Sequence, residues 1–534
     1  MSKPAESPKA TKYERILGDN ELSYFLPSRA DGANDMYLHI GFRARRDVVN
    51  SPRIFLIWSI LRLRHPLLAS HVEMEEGMYD SVRFAYVPPL SARDALLDGE
   101  ANVEICPGRT KDELIDGYLN GPRTLSNTRL SYLIVSHSTT DDLGNLDPDA
   151  ITEFNIMICA AHFLGDGMAL HQTANDFFSL LGGKSEESCT DCVRSVDELY
   201  AILEDEWKLR WACEASVEQP IPATTESRLP SPKCKFQRAA LKVDFENSQD
   251  RLVGGHTFPR IGAGTRRTIV PTVSFDKART KAILKKCKSE GVTISNALFA
   301  LCNFAWMRTM RARDDLAIPD SLRDGSVPMM MYSALNMRPY LDPPLPLSHL
   351  PSSYWFLSVG YFNIVLPSFI PSTAPASSTF WHRARSVKAQ GGKYMKSPML
   401  VSRNQEMAKV RGRRARMFAK EDDEEMKAAS EPKTPVPITM SLPLKKPAPS
   451  SALIGLSLLG NLDATYQHAA FPALELHTLT TGSRQRQGGM LLFGYSFAGK
   501  MWISLGWDVN AFQQGVVQDF WTRVLAGVEE FLES

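Results

Sequence analysis

Ala161-His162-Phe163-Leu164-Gly165-Asp166-Gly167 decides how this 534-residue chain is read. The segment stands between an apolar run, Phe154-Asn155-Ile156-Met157-Ile158-Cys159-Ala160, and a stretch of helical periodicity from Met168 to Leu181. The run predicts a short, buried strand, and the stretch an amphipathic helix that stops at Gly182-Gly183. A His-x-x-x-Asp-Gly spacing arises by chance about 0.04 times in a chain with 11 histidines and 33 glycines. Its place between strand and helix adds weight. Imidazole titrates near neutrality, so it can take a proton from an alcohol or amine that attacks a carbonyl. The carboxylate of Asp166, around a turn eased by Gly165 and Gly167, can fold back to hold the loop without touching substrate. A second reading fits the same residues: a buried histidine bonded to backbone, with Asp166 capping the following helix.

Outward from this motif the chain alternates strands and helices without a regular βαβ pattern. Met36–Phe42, Val82–Pro88, Leu130–His137, Thr268–Phe275, Met329–Pro339, Ser358–Pro367 and Ala452–Leu462 read as strands. Gly489–Phe497, a turn at Ala498-Gly499-Lys500 and Met501–Asp508 read as a hairpin. Apolar residues at helical spacing from Arg53 give a helix that Pro66 stops, and further helices follow Asp276 and Thr293 and close the chain. Residues 353–370 lack charge and are nearly long enough to span a bilayer, but Gly360, Asn363, Pro367 and the β-branched and aromatic content predict one buried, bent strand.

Composition narrows the class. At 43% hydrophobic and 23% charged residues the chain is globular, with room for two to four domains. Lys and Arg number 61 against 60 Asp and Glu, so no net charge draws it to nucleic acid or anionic lipid. Eight cysteines make no disulfide scaffold, and the polar start MSKPAESPKATKYER lacks the apolar core of a signal peptide. The reading is a reduced, cytoplasmic protein without a transmembrane segment or a nucleic-acid partner.

Other motifs fall away on inspection. Leu181-Gly182-Gly183-Lys184-Ser185 has Phe178 where a phosphate loop needs its first glycine, and it follows a helix. Gly262-Ala263-Gly264 lacks the third glycine of a dinucleotide fingerprint. Gly494-Tyr495-Ser496-Phe497-Ala498 has strand, turn, strand flanks where a nucleophile elbow needs a helix. Cys189-Thr190-Asp191-Cys192 has no second ligand pair, so no metal is expected. Lys409–Lys420, KVRGRRARMFAK, runs into Glu421–Glu425, EDDEE. It reads as a self-compensating loop or helix, with a localisation signal or a phosphate cradle as sharper alternatives.

Taken with LRLRHPLL (residues 61–68), GVTISNALFALCNFAW (291–306), ALNMRPYL (334–341) and SLLGNL (457–462), AHFLGDG resembles the CoA-dependent acyltransferase superfamily. That superfamily includes chloramphenicol acetyltransferase, the BAHD enzymes, fungal alcohol and trichothecene acetyltransferases and peptide-synthetase condensation domains. The DFGWG loop of plant BAHD enzymes is missing. Ala161 stands where condensation domains carry a further histidine, so the fungal O-acyltransferase branch is the nearer one.

The resemblance implies an α+β fold of two related α/β sandwich lobes with an active-site tunnel between them. Residues 1–12 would be a polar tail, 13–215 the first lobe, 216–267 a crossover linker and 268–534 the second lobe, with a charged and Pro-rich loop at about 403–450. It implies that His162 and Asp166 form the catalytic motif, with His162 the general base and Asp166 its structural partner, expected to pair with Arg338 rather than to relay a proton. Gly167 and Arg338 would be structural partners of the motif, with Arg15 as a second candidate to pair with Asp166. Ser457, Gly460 and Asn461 would line the tunnel. No bound cofactor would be expected. Acyl-CoA, most simply acetyl-CoA, is the cosubstrate, a small hydrophobic alcohol the acceptor, and the enzyme a monomer. Two alternatives remain: a condensation-type transferase using a carrier-protein-bound donor, and a non-catalytic binding protein of the same fold.

Overall fold

The strand Ile151–Ala160 is paired antiparallel along its length with Met36–Arg45 and, from Phe154 to Ala160, with Ser131–His137. Its near-continuous apolar sequence is what a strand covered on both faces requires, and Phe154 and residues Ile156 to Ala161 are all buried. A computed structural model describes residues 11–138, 150–184, 193–211, 219–261, 265–342, 353–430 and 451–533. These fall into two compact units, neither of them contiguous in sequence.

The first unit comprises Met1–Leu229, Leu341–Ser358 and Asn461–Arg484. Its five-stranded sheet runs in the order Leu474–Ser483, Met36–Arg45, Ile151–Ala160, Ser131–His137, Val103–Ile105, parallel only at the last pair. A separate three-stranded sheet joins Tyr13–Ile16, Arg83–Tyr86 and His71–Glu73. The helix Ser51–Arg64 starts at Asn50, whose side chain accepts from the Arg53 N–H, and ends before Pro66 as its sequence requires.

The second unit comprises Pro230–Tyr340, Val359–Gly460 and Gln485–Ser534. Its seven-stranded sheet runs Val359–Leu366, Met329–Asn336, Ala452–Asn461, Met490–Phe497, Lys500–Asp508, Thr268–Ile269, with Thr272–Phe275 also paired to Lys500–Asp508. The strand expected over 268–275 is split at Pro271, which has no N–H for a ladder. The hairpin turns at Ala498 (φ 53°) and Gly499 (φ 71°), the left-handed pair that a two-residue connection demands. Helices Lys277–Ser289, Ile294–Ala312, Ala376–Met395 and Val516–Gly527 pack on this sheet through Ile283, Leu298, Phe304, Phe380 and Phe520.

Three expectations change. The single strand expected over 353–370 is confined to Val359–Leu366. Residues before it are held by side chains instead, with Ser353 Oγ accepting from the Trp355 N–H and Asp166 accepting from the Ser358 N–H. The loop expected from 403 is the helix Leu400–Ser430 as far as residue 430, while 431–450 lie outside the described residues. Its opposite charges meet at helical spacing, as in Lys409–Glu406 and Lys420–Glu424, on residues of good helix propensity. The linker expected over 216–267 contains the helix Lys235–Asp250. Cys189, Cys192 and Gly262–Gly264 lie outside the described residues. Among the described residues no helix is long and apolar enough to cross a membrane.

Candidate active site

His162 leaves the end of the central strand. The Ala161 N–H still bonds to the Leu130 carbonyl, and then the chain turns once in the 3₁₀ helix His162–Leu164. Its Nδ1 lies 3.0 Å from the Gly165 carbonyl oxygen. A carbonyl only accepts, so Nδ1 carries the hydrogen and Nε2 is the basic nitrogen. The ring stacks on Tyr24 from the helix Asp19–Ser28, with centroids 4.3 Å apart and planes at 28°. This face-on contact fixes the imidazole plane. His162 is half-buried, whereas His39, His65, His171 and His256 are buried.

Asp166 is 3% exposed and satisfies three backbone donors. Oδ1 accepts from the N–H groups of Met168 (3.1 Å) and Ala169 (3.3 Å), capping the helix Gly167–Gly182. Oδ2 accepts from the Ser358 N–H at 2.9 Å and so pins the segment 353–358 to the motif. That segment is fixed elsewhere by Trp355 Nε1 donating to Thr173 Oγ1 (2.6 Å), Tyr354 Oη donating to Asp176 (2.7 Å) and Ser353 Oγ against His65 Nδ1 (2.9 Å). One carboxylate thus ties strand end, helix start and the returning segment together. Asp166→Ala strands the capped N–H groups and a buried Ser358 N–H, and lowers unfolding free energy by about 2–4 kcal/mol. Asp166→Asn keeps one capping oxygen and loses about half as much. Urea unfolding of both variants checks this ordering.

Gly165 is dictated by close approach. Its φ of −176° is extended backbone open to any residue, but a Cβ there would lie 2.7 Å from Trp355 Cε3. Trp355 is fully buried. Gly165→Ala therefore destabilises by about 1–3 kcal/mol through overpacking, and Trp355→Leu in the same chain recovers part of it. Thermal unfolding of the single and double variants measures the coupling.

The remaining expected site residues lie on several elements. Gly167 is the first residue of the helix that Asp166 caps. Arg338 opens a 3₁₀ turn in the second unit, where its N–H bonds to Asn336 Oδ1 at 3.0 Å. Ser457 lies within Ala452–Asn461, and Gly460 near its end has φ 75°, a position suited to glycine. Asn461 is exposed and accepts from the Asp463 N–H. Arg15 is engaged elsewhere: it forms a two-point pair with Glu21 at 2.7 and 2.8 Å and lies over Phe84. Tyr24 and the Ser358 pin were not anticipated, because neither carries a local sequence signal. Among the described residues no group of His, Cys, Asp and Glu is arranged to hold a metal ion.

No protein-family model and no curated protein matches this sequence. Among solved structures the chain is similar to the TRI3 trichothecene 15-O-acetyltransferase from Fusarium sporotrichioides, at 12% identity and TM-score 0.68 over 98% of this chain and 97% of that one. It is also similar to the condensation domain from the monacolin K polyketide synthase MokA (9%, TM-score 0.53, 98% and 97%). A third likeness is to the EpoB cyclization-docking bidomain from Sorangium cellulosum (11%, TM-score 0.53, 100% and 87%). The chain has the α+β fold common to these proteins, as its motifs implied.

Proposed function

We propose that this protein transfers an acyl group, acetyl in the simplest case, from CoA to a hydroxyl of a small hydrophobic secondary metabolite. The observation that carries the reading is the His162 imidazole, held at Nδ1 by a carbonyl so that Nε2 is basic, in a loop locked by Asp166. In the reaction Nε2 takes the hydroxyl proton as the oxygen attacks the thioester carbonyl. The tetrahedral intermediate collapses with loss of the CoA thiolate, and the imidazolium returns the proton to that sulfur. Ester and free CoA are the products, and no acyl-enzyme forms. Asp166 acts through geometry, not as a proton relay. The roles of Arg338, Ser457, Gly460 and Asn461 rest on their motifs and enter the proposal on that ground alone. The likeness to an O-acetyltransferase at the higher TM-score favours CoA over a carrier-bound donor.

The test is a mass-spectrometric screen of the full chain with acetyl-CoA and a panel of hydrophobic alcohols, with an acylated carrier protein in a parallel arm. Ester formed from acetyl-CoA supports the reading. Ester formed only from the carrier transfers the donor role to a protein partner, and no ester in either arm against a broad panel counts against catalysis.

A further inference from the structure

We propose that a cleft on the second unit binds a phosphomonoester dianion, of the kind carried at the 3′ position of the CoA nucleotide; naming that source rests on the acyl-CoA reading above. The cleft has a volume of about 290 Å³ and is lined by Asp244, Asn247, Ser248, Arg251, Lys393 and Arg403. Three helices build it. Lys235–Asp250 contributes Asp244, Asn247 and Ser248 and ends at Arg251; Ala376–Met395 contributes Lys393 in its last turn; Leu400–Ser430 contributes Arg403 near its start.

Arg403 is held in place by Asp244, which accepts from Nε at 2.8 Å and from Nη2 at 2.9 Å. The pair keeps both groups charged, with the carboxyl pushed below its ordinary range by the guanidinium and the guanidinium pushed up. The Nη1 group of Arg403 has no acceptor among the described residues, and the side chains of Arg251 and Lys393 have neither ion pair nor hydrogen bond there. Three cations against one carboxylate leave a charge of +2 facing a concave surface. A phosphomonoester near neutrality carries close to −2 and several acceptor oxygens, which matches both the charge and the donors.

Helix polarity accounts for only part of this. Arg251 and Lys393 stand at helix C-termini, where a cation is favoured singly. Arg403 stands near a helix start, where the dipole disfavours it, and nothing in helix polarity makes all three converge. The basic run 409–420 on the same helix is a weaker candidate. Lys409 is 2.6 Å from Glu406, Lys420 is 3.8 Å from Glu424, and Arg411 lies 4.4 Å over the Tyr361 ring.

Calorimetric titration of the full chain with adenosine 3′,5′-bisphosphate, adenosine 5′-phosphate and inorganic phosphate tests the cleft. The bisphosphate binds about tenfold tighter than the 5′-phosphate, and Arg251→Ala and Lys393→Ala each weaken it about tenfold. The loss grows smaller as salt rises, and Lys420→Ala changes nothing. Inorganic phosphate that competes with the bisphosphate, with the same loss in both variants, makes free phosphate an occupant of the same site. Unchanged binding in the double variant overturns the proposal. A kinetic arm separates it from the reaction itself: the double variant raises KM for acetyl-CoA but not for its 3′-dephospho analogue, at constant kcat. Acetyl transfer with KM unmoved sinks the cleft and leaves the reaction standing. Bisphosphate binding lost in the variants, without transfer in the wild type, does the reverse.

Discussion

His162→Ala lowers kcat for acyl transfer by about 10² to 10⁴-fold, the usual contribution of a positioned general base. KM for acetyl-CoA stays near its wild-type value, because a proton acceptor acts as the transition state forms and adds little to ground-state binding. His162→Gln is as slow: an amide can fill the space and even bond to the Gly165 carbonyl, but it has no basic nitrogen. The protein remains folded in both cases. The ring's hydrogen bond to the Gly165 carbonyl and its stack on Tyr24 together contribute about 1–2 kcal/mol. Tyr24→Phe retains the stack and most of the rate, while Tyr24→Ala loses the contact that fixes the ring plane. Steady-state kinetics with matched unfolding curves distinguish these effects. A His162→Ala enzyme that turns over at the wild-type rate ends the assignment.

What could be read from the sequence was whatever is encoded locally. The apolar run ending at Ala160 specifies a central strand, Asp166 is a good N-cap at the start of an amphipathic helix, and Thr293 with Asn296 forms a capping box. Ala498-Gly499 gives the hairpin its left-handed turn. What could not be read depends on partners distant in sequence. The strand Leu474–Ser483 belongs to the first unit because it pairs with Met36–Arg45, and no property of residues 474–483 alone selects that partner. The same holds for 353–358, whose uncharged, aromatic sequence suits a strand until Asp166 takes the Ser358 N–H. The expected lobes were therefore contiguous where the compact units are not. Charge left residues 409–425 open between loop and helix, since pairing at three- and four-residue spacing takes effect only once the helix exists.

The same site makes two kinds of statement about Asp166, and the structure separates them. Capping and loop anchoring are visible as three hydrogen bonds to backbone. They make the two sequence readings of His-x-x-x-Asp-Gly compatible, because the cap that stabilises the helix also sets the turn from which His162 projects. A fold shared with an O-acetyltransferase and with condensation-type domains does not by itself choose a function.

The largest expected effect on stability comes from pH, through histidines that take no part in the reaction. His39 and His171 are fully buried, and burial pushes their pKa values down to about 4 and about 3. His65 is lowered well below its ordinary value by burial, with help from Arg210 and Arg64, and His256 is lowered by burial. Their bonds fit neutral rings. His39 Nε2 meets Asn155 Oδ1 at 2.9 Å, and His256 Nε2 meets the Val327 carbonyl at 2.9 Å while its Nδ1 accepts from Trp306. Unfolded, each ring protonates near pH 6.5. Between that value and the lowered folded one the unfolded chain binds more protons, so stability is complete above pH 6.5 and falls as pH drops. At pH 5 the deficit is about 2 kcal/mol for each of His39 and His171, or about 4 kcal/mol together, with His65 and His256 adding in the same direction. Asp35 and Glu226, whose carboxyl pKa values burial raises, bind protons in the folded state and offset part of this. Urea unfolding followed by tryptophan fluorescence at pH 7.5, 6 and 5 reads the slope. His171→Gln lowers that slope by about 1.4 kcal/mol per pH unit whatever it does to absolute stability. A flat profile, or a slope unchanged in this variant, contradicts the account.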